Sequence, residues 1–399
     1  MKHSAPFDFD EVVDRTASNS LKWDGLHVML SPEQAALKPL PMWVADMDFK
    51  SPQPVIDALT ERAQHGVFGY SNIENTAYLD AVTGWQKRRF DWDVHRDWVV
   101  PTAGIITAIK CMIQAFSAPG DTILIQPPVY AHFRDDVLLN GRFPTLAPLT
   151  RDRDRYVYDA NGFEAAIKPN TALFILSNPH NPTGNVWTRE ELLSMGEICA
   201  RHGVLVISDE IHQDLIMNPA CQHLPFASLS DDFAQNSLTC TATSKTFNLP
   251  GLQSANVFIP NPKLRAEFKR QYDRNLFPLG NVMGQVATEA AYNHGEPWLD
   301  AMLANVRANH IRFAEGVASL NCGLRVLPTD SLYLAWMDCR EISSDPDHLH
   351  NMLLTKARLW FDLGSKYGLE GYGYTRVNLG CSKATVDDAL GRLGTAFGS

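Results

Sequence analysis

The chain has no long uncharged apolar run. Nowhere in its 399 residues does such a run approach membrane-spanning length, so no transmembrane helix and no membrane partner are predicted. It also lacks a basic footprint. The formal net charge is −10, and no Lys/Arg cluster or aromatic-interleaved basic stripe occurs, which argues against nucleic acid as a partner. Cysteine is sparse and unpatterned: seven residues, an odd number, without Cys-x-x-Cys spacing, predict buried free thiols and neither disulfides nor zinc. The 13 histidines form no His-Glu-x-x-His or similar ligand pair, so no metal site is expected. Internal repeats, low-complexity stretches and charge blocks are missing too. Residues 1–10 carry no apolar leader-like core, and a cytoplasmic location with small-molecule ligands is expected.

What is present suits a large α/β protein. The 45% hydrophobic and 20% charged content is that of a globular chain long enough to bury a substantial core. Short apolar runs at residues 122–126, 172–176, 204–207, 237–241 and 255–259 alternate with helical patterns, predicting a mainly parallel sheet covered on both faces. Thr188 with Glu191 forms a capping box and Gly203 follows as a stop, so residues 189–202 are predicted helical. Residues 104–117 read as another helix. Beyond about residue 290, helical patterns at 298–309 and 347–359 flank a strand-like 331–336. The expected organisation is a large domain over residues 49–290 and a smaller α/β domain from 1–48 and 291–399.

Chemistry concentrates where strands end. The turn Ser177-Asn-Pro-His-Asn-Pro-Thr-Gly184, the pair Asp209 and His212, and Lys245 within Thr241-Ala-Thr-Ser-Lys-Thr-Phe-Asn-Leu-Pro-Gly251 each follow a predicted strand. Ligands in open α/β sheets bind beyond the carboxyl ends of strands, so these groups can meet in one pocket. A lysine there can carry an aldehyde as a Schiff base, an aspartate can hold a pyridine nitrogen protonated, and Arg376 can clamp a carboxylate. Together they read as a pyridoxal-phosphate site. Each residue also has a plainer explanation: Lys245 as a surface cation, Asp209 as a helix cap or ion pair, Asn181 as turn chemistry, Arg376 as a surface ion pair. Gly104 opens a helix whose amides, with those of Ile105 and Ile106, could hold a phosphate. Ser244 adds a small hydroxyl, and Tyr130 stands as a stacking ring or a core aromatic. His212 is open to bonding a ring hydroxyl, bonding Asp209, or a structural role.

The order and the intervals of 28, 36 and 131 residues from Asn181 through Asp209 and Lys245 to Arg376 resemble those of the fold-type I pyridoxal-phosphate enzymes, the aspartate aminotransferase superfamily. Within it, Asn19-Ser-Leu-Lys-Trp-Asp24, Leu40-Pro-Met-Trp-Val-Ala-Asp-Met-Asp-Phe49, His65-Gly-Val-Phe-Gly-Tyr70 and Gln126-Pro-Pro-Val-Tyr130 look like the MalY/PatB branch of cystathionine β-lyases and cysteine C–S lyases. The resemblance implies a fold-type I architecture and a cytoplasmic homodimer acting on an amino acid. Lys245 would be the Schiff-base lysine and proton shuttle, Asp209 the pyridine partner, Asn181 the ring-hydroxyl donor and Arg376 the α-carboxylate clamp. Tyr130 would stack on the ring, with His212 and Ser244 also at the cofactor. Ala45 would face the substrate, and Tyr70 would reach the phosphate of the other subunit. One departure stands out: the Gly-x-Arg of the wider superfamily is Gly251-Leu-Gln253 here. The expected reaction is β-elimination from an S-substituted cysteine. An aminotransferase on the same scaffold, or a regulatory protein that keeps the fold, are the rival readings.

Overall fold

The computed structural model describes residues 7–72, 74–275 and 280–398. Residues 1–6 of the expected small domain lie outside the described residues. Seven strands, β1 (Val99–Thr102), β2 (Thr122–Ile125), β3 (Phe143–Leu146), β4 (Thr171–Ser177), β5 (Leu205–Asp209), β6 (Ser237–Thr241) and β7 (Ala255–Phe258), form the central sheet in the order β1-β7-β6-β5-β4-β2-β3. From β6 to β3 all pairings are parallel, and β7 runs antiparallel to both β6 and β1. The sheet is therefore mainly parallel, as a sequence of apolar runs separated by helices predicts. β7 alone points the other way because residues 242–254, which precede it, form a short helix and a 3-10 turn at the same edge of the sheet instead of crossing back over a face.

Both faces of the sheet are buried, and β4 shows how. Leu173 and Ile175 pack into a core with Ile109 and Met112 of the helix Ile105–Phe116, while Phe174 and Leu176 face an opposite core with Leu192 and Met195 of the helix Arg189–Arg201. Period-two alternation into two cores reads in sequence as a continuous apolar run, and each such side chain contributes about 1.5–3 kcal/mol of burial. The helix Arg189–Arg201 starts with the predicted Thr188/Glu191 capping box.

A second, antiparallel sheet takes the strands Arg325–Val326, Leu334–Asp338, Tyr374–Asn378 and Asp362–Leu363, in that order. Its predicted strand 331–336 begins later, at Leu334, because Ser331 makes only a single bridge to Ile216 and Leu332 adopts φ 73°. The helix expected over 347–359 stops at Met352, passes through a π turn over Leu353–Ala357 and a left-handed Arg358, and then changes form. Leu359 and Trp360 pair in parallel with Leu40 and Pro41, and that tertiary pairing overrides the local helical pattern. All seven cysteines are free, five of them buried.

Candidate active site

Because β1 is antiparallel to β7, its carboxyl end lies on the same edge of the sheet as those of β2, β4, β5 and β6. Five strand ends thus deliver Gly104, Tyr130, Asn181, Asp209 and Lys245 to one side. They line a cavity of about 490 Å³, together with Ala45, Ile105, Ile106, His212, Ser244 and Arg376. Of the residues singled out in the sequence, only Tyr70 is elsewhere. It sits 85% exposed on the connection after the helix Gln53–His65.

Lys245 lies on the short helix Thr243–Thr246 directly after β6. Its turn is fixed from below: Thr246 donates to the buried Asp214 at 2.8 Å, and Phe247 packs edge-on against Trp85 at 5.5 Å. The ammonium donates to the Ala45 carbonyl at 2.6 Å. Burial and then the nearby Arg376 push its pKa down to about 8, with Asp46 and Asp209 acting in the opposite sense. A lysine so tuned is available as a base near neutral pH.

Asp209, the last residue of β5, is buried, and its Oδ1 accepts from the Ile211 N–H at 3.2 Å. Among the described residues no cation pairs with it. Burial, helped by Glu210 and opposed by the Ile211 N–H and Lys245, raises its carboxyl to about 7. Such a carboxylate gains most from a cationic ligand placed in the cavity. His212 is neutral, because burial, Lys245 and Arg376 hold its pKa well below the usual value. Its Nδ1 is buried without a partner, and no hydrogen bond to Asp209 is found among the described residues. That alternative from the sequence is set aside.

Gly104, with φ 91°, caps the helix Ile105–Phe116 without any side-chain hydrogen bond, so its first-turn amides are open to the cavity. Amides at the start of a helix suit an anion. Tyr130 stands at the head of the helix Ala131–Leu139, and burial lifts its phenol to about 12, so it stays protonated. Gln253, where the superfamily has arginine, also lines the cavity.

Arg376 lies on the strand Tyr374–Asn378, opposite Asp362 in register. Its guanidinium donates to Asn181 Oδ1 at 3.1 Å, to the Trp43 carbonyl at 3.1 Å and to Asp362 Oδ2 at 3.0 Å, while its buried Nε has no partner among the described residues. The unspent Nε–H and a further Nη1 hydrogen remain for a ligand carboxylate. Sequence reasoning missed the support of this arginine: Asp362, Tyr367, which donates to Asp362 at 2.6 Å, and Lys366, which pairs with it at 2.7 Å. An aspartate inside the apolar run Leu359–Leu363 was the available signal.

The string Trp43–Phe49 turns out to be a strap across the site. Asn248, left-handed at φ 58°, accepts from the Met47 N–H and donates to the Met47 and Phe49 carbonyls, and Asn378 donates to the Val44 and Asp46 carbonyls. On its outer side Arg15 pairs with Asp46 and Asp48 at 2.7 Å each, and the wholly buried Lys22 pairs with Asp48 at 2.7 Å. Trp23 donates to the same carboxylate at 2.9 Å. Burial alone would raise Asp48, but Lys22, Trp23 and Arg15 bring it below the usual carboxylate range.

The match to known proteins follows this geometry. The model of the family Aminotransferase class I and II matches residues 41–393. The chain belongs to that family. It is 41% identical to the cystathionine β-lyase PatB of Bacillus subtilis over 98% of this chain and 100% of that one. Among solved structures, cystalysin of Treponema denticola, which contains pyridoxal 5'-phosphate, superposes with a TM-score of 0.92 at 30% identity, covering 98% of each chain. The pyridoxal-phosphate-bound C–S lyase of Staphylococcus hominis gives 0.90 at 28% identity, covering 99% of each. Within this aminotransferase family fold, the cavity fits the cofactor on its own chemistry. An uncapped helix start suits a phosphate, an unpaired buried carboxylate suits a pyridinium nitrogen, and a buried lysine suits an aldehyde.

Proposed function

We propose that the chain is a pyridoxal-phosphate-dependent β-lyase that converts an S-substituted cysteine such as cystathionine, with water, into a thiol, pyruvate and ammonia. The observation that carries the reading is the meeting of Lys245, Asp209 and Arg376 in one cavity, each with capacity left for a ligand. The named activities of PatB and of the Staphylococcus hominis enzyme support the choice of C–S cleavage.

Bound here, the cofactor supplies an aldehyde for the substrate amine and a ring that accepts the electron pair left at Cα. The protein does the rest. Arg376 orients the α-carboxylate through its unspent donors, which sets the Cα–H bond toward Lys245. Lys245, neutral above about pH 8, takes the Cα proton, and the Ala45 carbonyl can hold the resulting ammonium. Asp209 would keep the ring nitrogen protonated, Asn181 and His212 would serve the ring hydroxyl, and Tyr130 would cover the ring. Ser244 and the amides of Gly104, Ile105 and Ile106 would hold the phosphate.

In this reading residues 49–290 form the cofactor domain, completed by a small domain from 1–48 and 291–399. Two copies associate, and Tyr70 of each reaches the partner's phosphate, where Gln253 replaces an arginine. The free thiols suit a reducing compartment, and we infer a cytoplasmic location, which cell fractionation checks.

The deciding experiment supplies cystathionine and S-alkyl cysteines to the purified holoenzyme without any keto acid, and follows thiol and pyruvate. Stoichiometric thiol and pyruvate over many turnovers are expected. A requirement for a keto acid with no thiol released would replace the lyase by an aminotransferase.

A further inference from the structure

We propose that Lys366 forms a second anion subsite that favours S-substituted cysteines whose thiol half bears a carboxylate. The inference rests on the lyase reading above. Around the cavity, Leu21, Trp43, Val44 and Ile106 offer an apolar wall that suits sulfur and methylene groups but satisfies no charge. Arg376 is buried at the back, engaged with Asn181, Trp43 and Asp362. Lys366 also lines the cavity, and its side chain is 49% exposed, so it is open to solvent as well as to the pocket.

Three features make that ammonium a recognition group. First, it is held in place. It lies 5.5 Å from the centroid of the Trp43 ring, which is stacked on Trp360 at 4.4 Å. The turn that carries it is pinned by the Val129 N–H donating to the Tyr367 carbonyl at 2.9 Å and by Tyr367 packed edge-on against Trp336 at 5.6 Å. At Gly364 a side chain would collide with the Gly371 and Tyr374 carbonyls, so the turn has one way to sit.

Second, its present partner can release it. Asp362 receives Tyr367 and Arg376 on Oδ2 and Lys366 alone on Oδ1, so a ligand carboxylate that takes Lys366 leaves Asp362 still paired and hydrogen-bonded. Third, its position is right. Lys366 and Arg376 are joined through a single carboxylate, so one ligand can span them with an α-carboxylate on the arginine and a second carboxylate on the lysine. His132, half-exposed, lines the same cavity and adds no negative charge.

The test compares S-carboxymethyl-cysteine with its neutral amide, S-carbamoylmethyl-cysteine, on the holoenzyme, and calorimetric binding of unreactive glutarate with that of butyrate. Wild type should prefer each charged ligand by about tenfold, the effect of one charge-assisted hydrogen bond. Lys366→Met should erase both preferences, acting on KM more than kcat, and Lys366→Arg should restore them. A purely structural lysine would lower charged and neutral ligands alike, and equal losses in Lys366→Met overturn the proposal. If no S-substituted cysteine yields thiol, the lyase reading falls, and the comparison of glutarate with butyrate still decides the subsite.

Discussion

Replacing Lys245 by methionine should make the cofactor-free protein more stable while abolishing cofactor attachment. Burial and Arg376 bring the Lys245 ammonium down to about 8, against about 10.4 for a lysine in water. At about 1.36 kcal/mol per pH unit, keeping that charge in the folded site below pH 8 costs up to roughly 3 kcal/mol. The side chain keeps some contact with pocket water, which trims the figure to about 1–3 kcal/mol. Methionine has similar length and carries no charge. The Ala45 carbonyl loses the lysine but keeps the Tyr333 hydroxyl at 2.8 Å, so no buried acceptor is orphaned.

The sign with pH follows from proton binding. Between pH 8 and about 10.4 the unfolded chain holds a proton on this lysine that the folded chain has lost, so wild-type stability rises with pH through that window. The advantage of Lys245→Met is therefore complete below pH 8 and shrinks toward pH 10. Thermal unfolding of both cofactor-free proteins at pH 7, 8, 9 and 10 measures it. A methionine variant no more stable than wild type at pH 7, or a gap that does not change with pH, would refute the argument.

Two further outcomes are expected. Asp48→Ala removes the partner of the wholly buried Lys22 and should cost about 3–5 kcal/mol, with hydrogen exchange of residues 15–24 accelerated; the double variant Lys22→Met with Asp48→Leu should recover most of it, and exchange unchanged in Asp48→Ala would rule out the clasp. Mixing Tyr70→Phe chains with Lys245→Ala chains should regain lyase activity, because one site of each heterodimer is then intact, whereas a fully active monomer at assay concentration would contradict the shared site.

The sequence made the grouping of the pocket residues readable because they sit where few polar residues belong. Asp209 closes an apolar strand, Lys245 follows another within one turn, and Asn181 lies in a Pro- and Gly-rich turn after a third. Strand ends on one edge of a parallel sheet converge, so order along the chain became proximity in space. The same local logic failed at residues 347–359, where pairing of Leu359–Trp360 with Leu40–Pro41 outweighed helical periodicity. It also failed at Asp362, whose meeting with Arg376 depends on antiparallel register that no pattern within either segment specifies. Tyr70 raises a different problem: within one chain it does not line the pocket, and its place at the phosphate belongs to the proposal of a shared site.

The string Trp43–Phe49 shows why a segment can identify a family before its purpose is visible. Its aspartates, Asp46 and Asp48, are matched to Arg15 and Lys22, about 26–33 residues earlier, through loops with no periodicity to betray the contact. From the other side the strap is held by Asn248, three residues past the lysine, and by Asn378, two residues past the arginine. A shift of either element must move the strap, and a loosened N-terminal clasp must disturb both. The Ala45 carbonyl sits in the middle, shared by Lys245 and Tyr333, so the position of the Lys245 amine is tied to the ion pairs that hold the strap. Substitutions that never touch the cavity, at Arg15 or Lys22, therefore act on the lysine through backbone placement and, at Arg15, also through its partner Asp46, whose charge holds the lysine's pKa up.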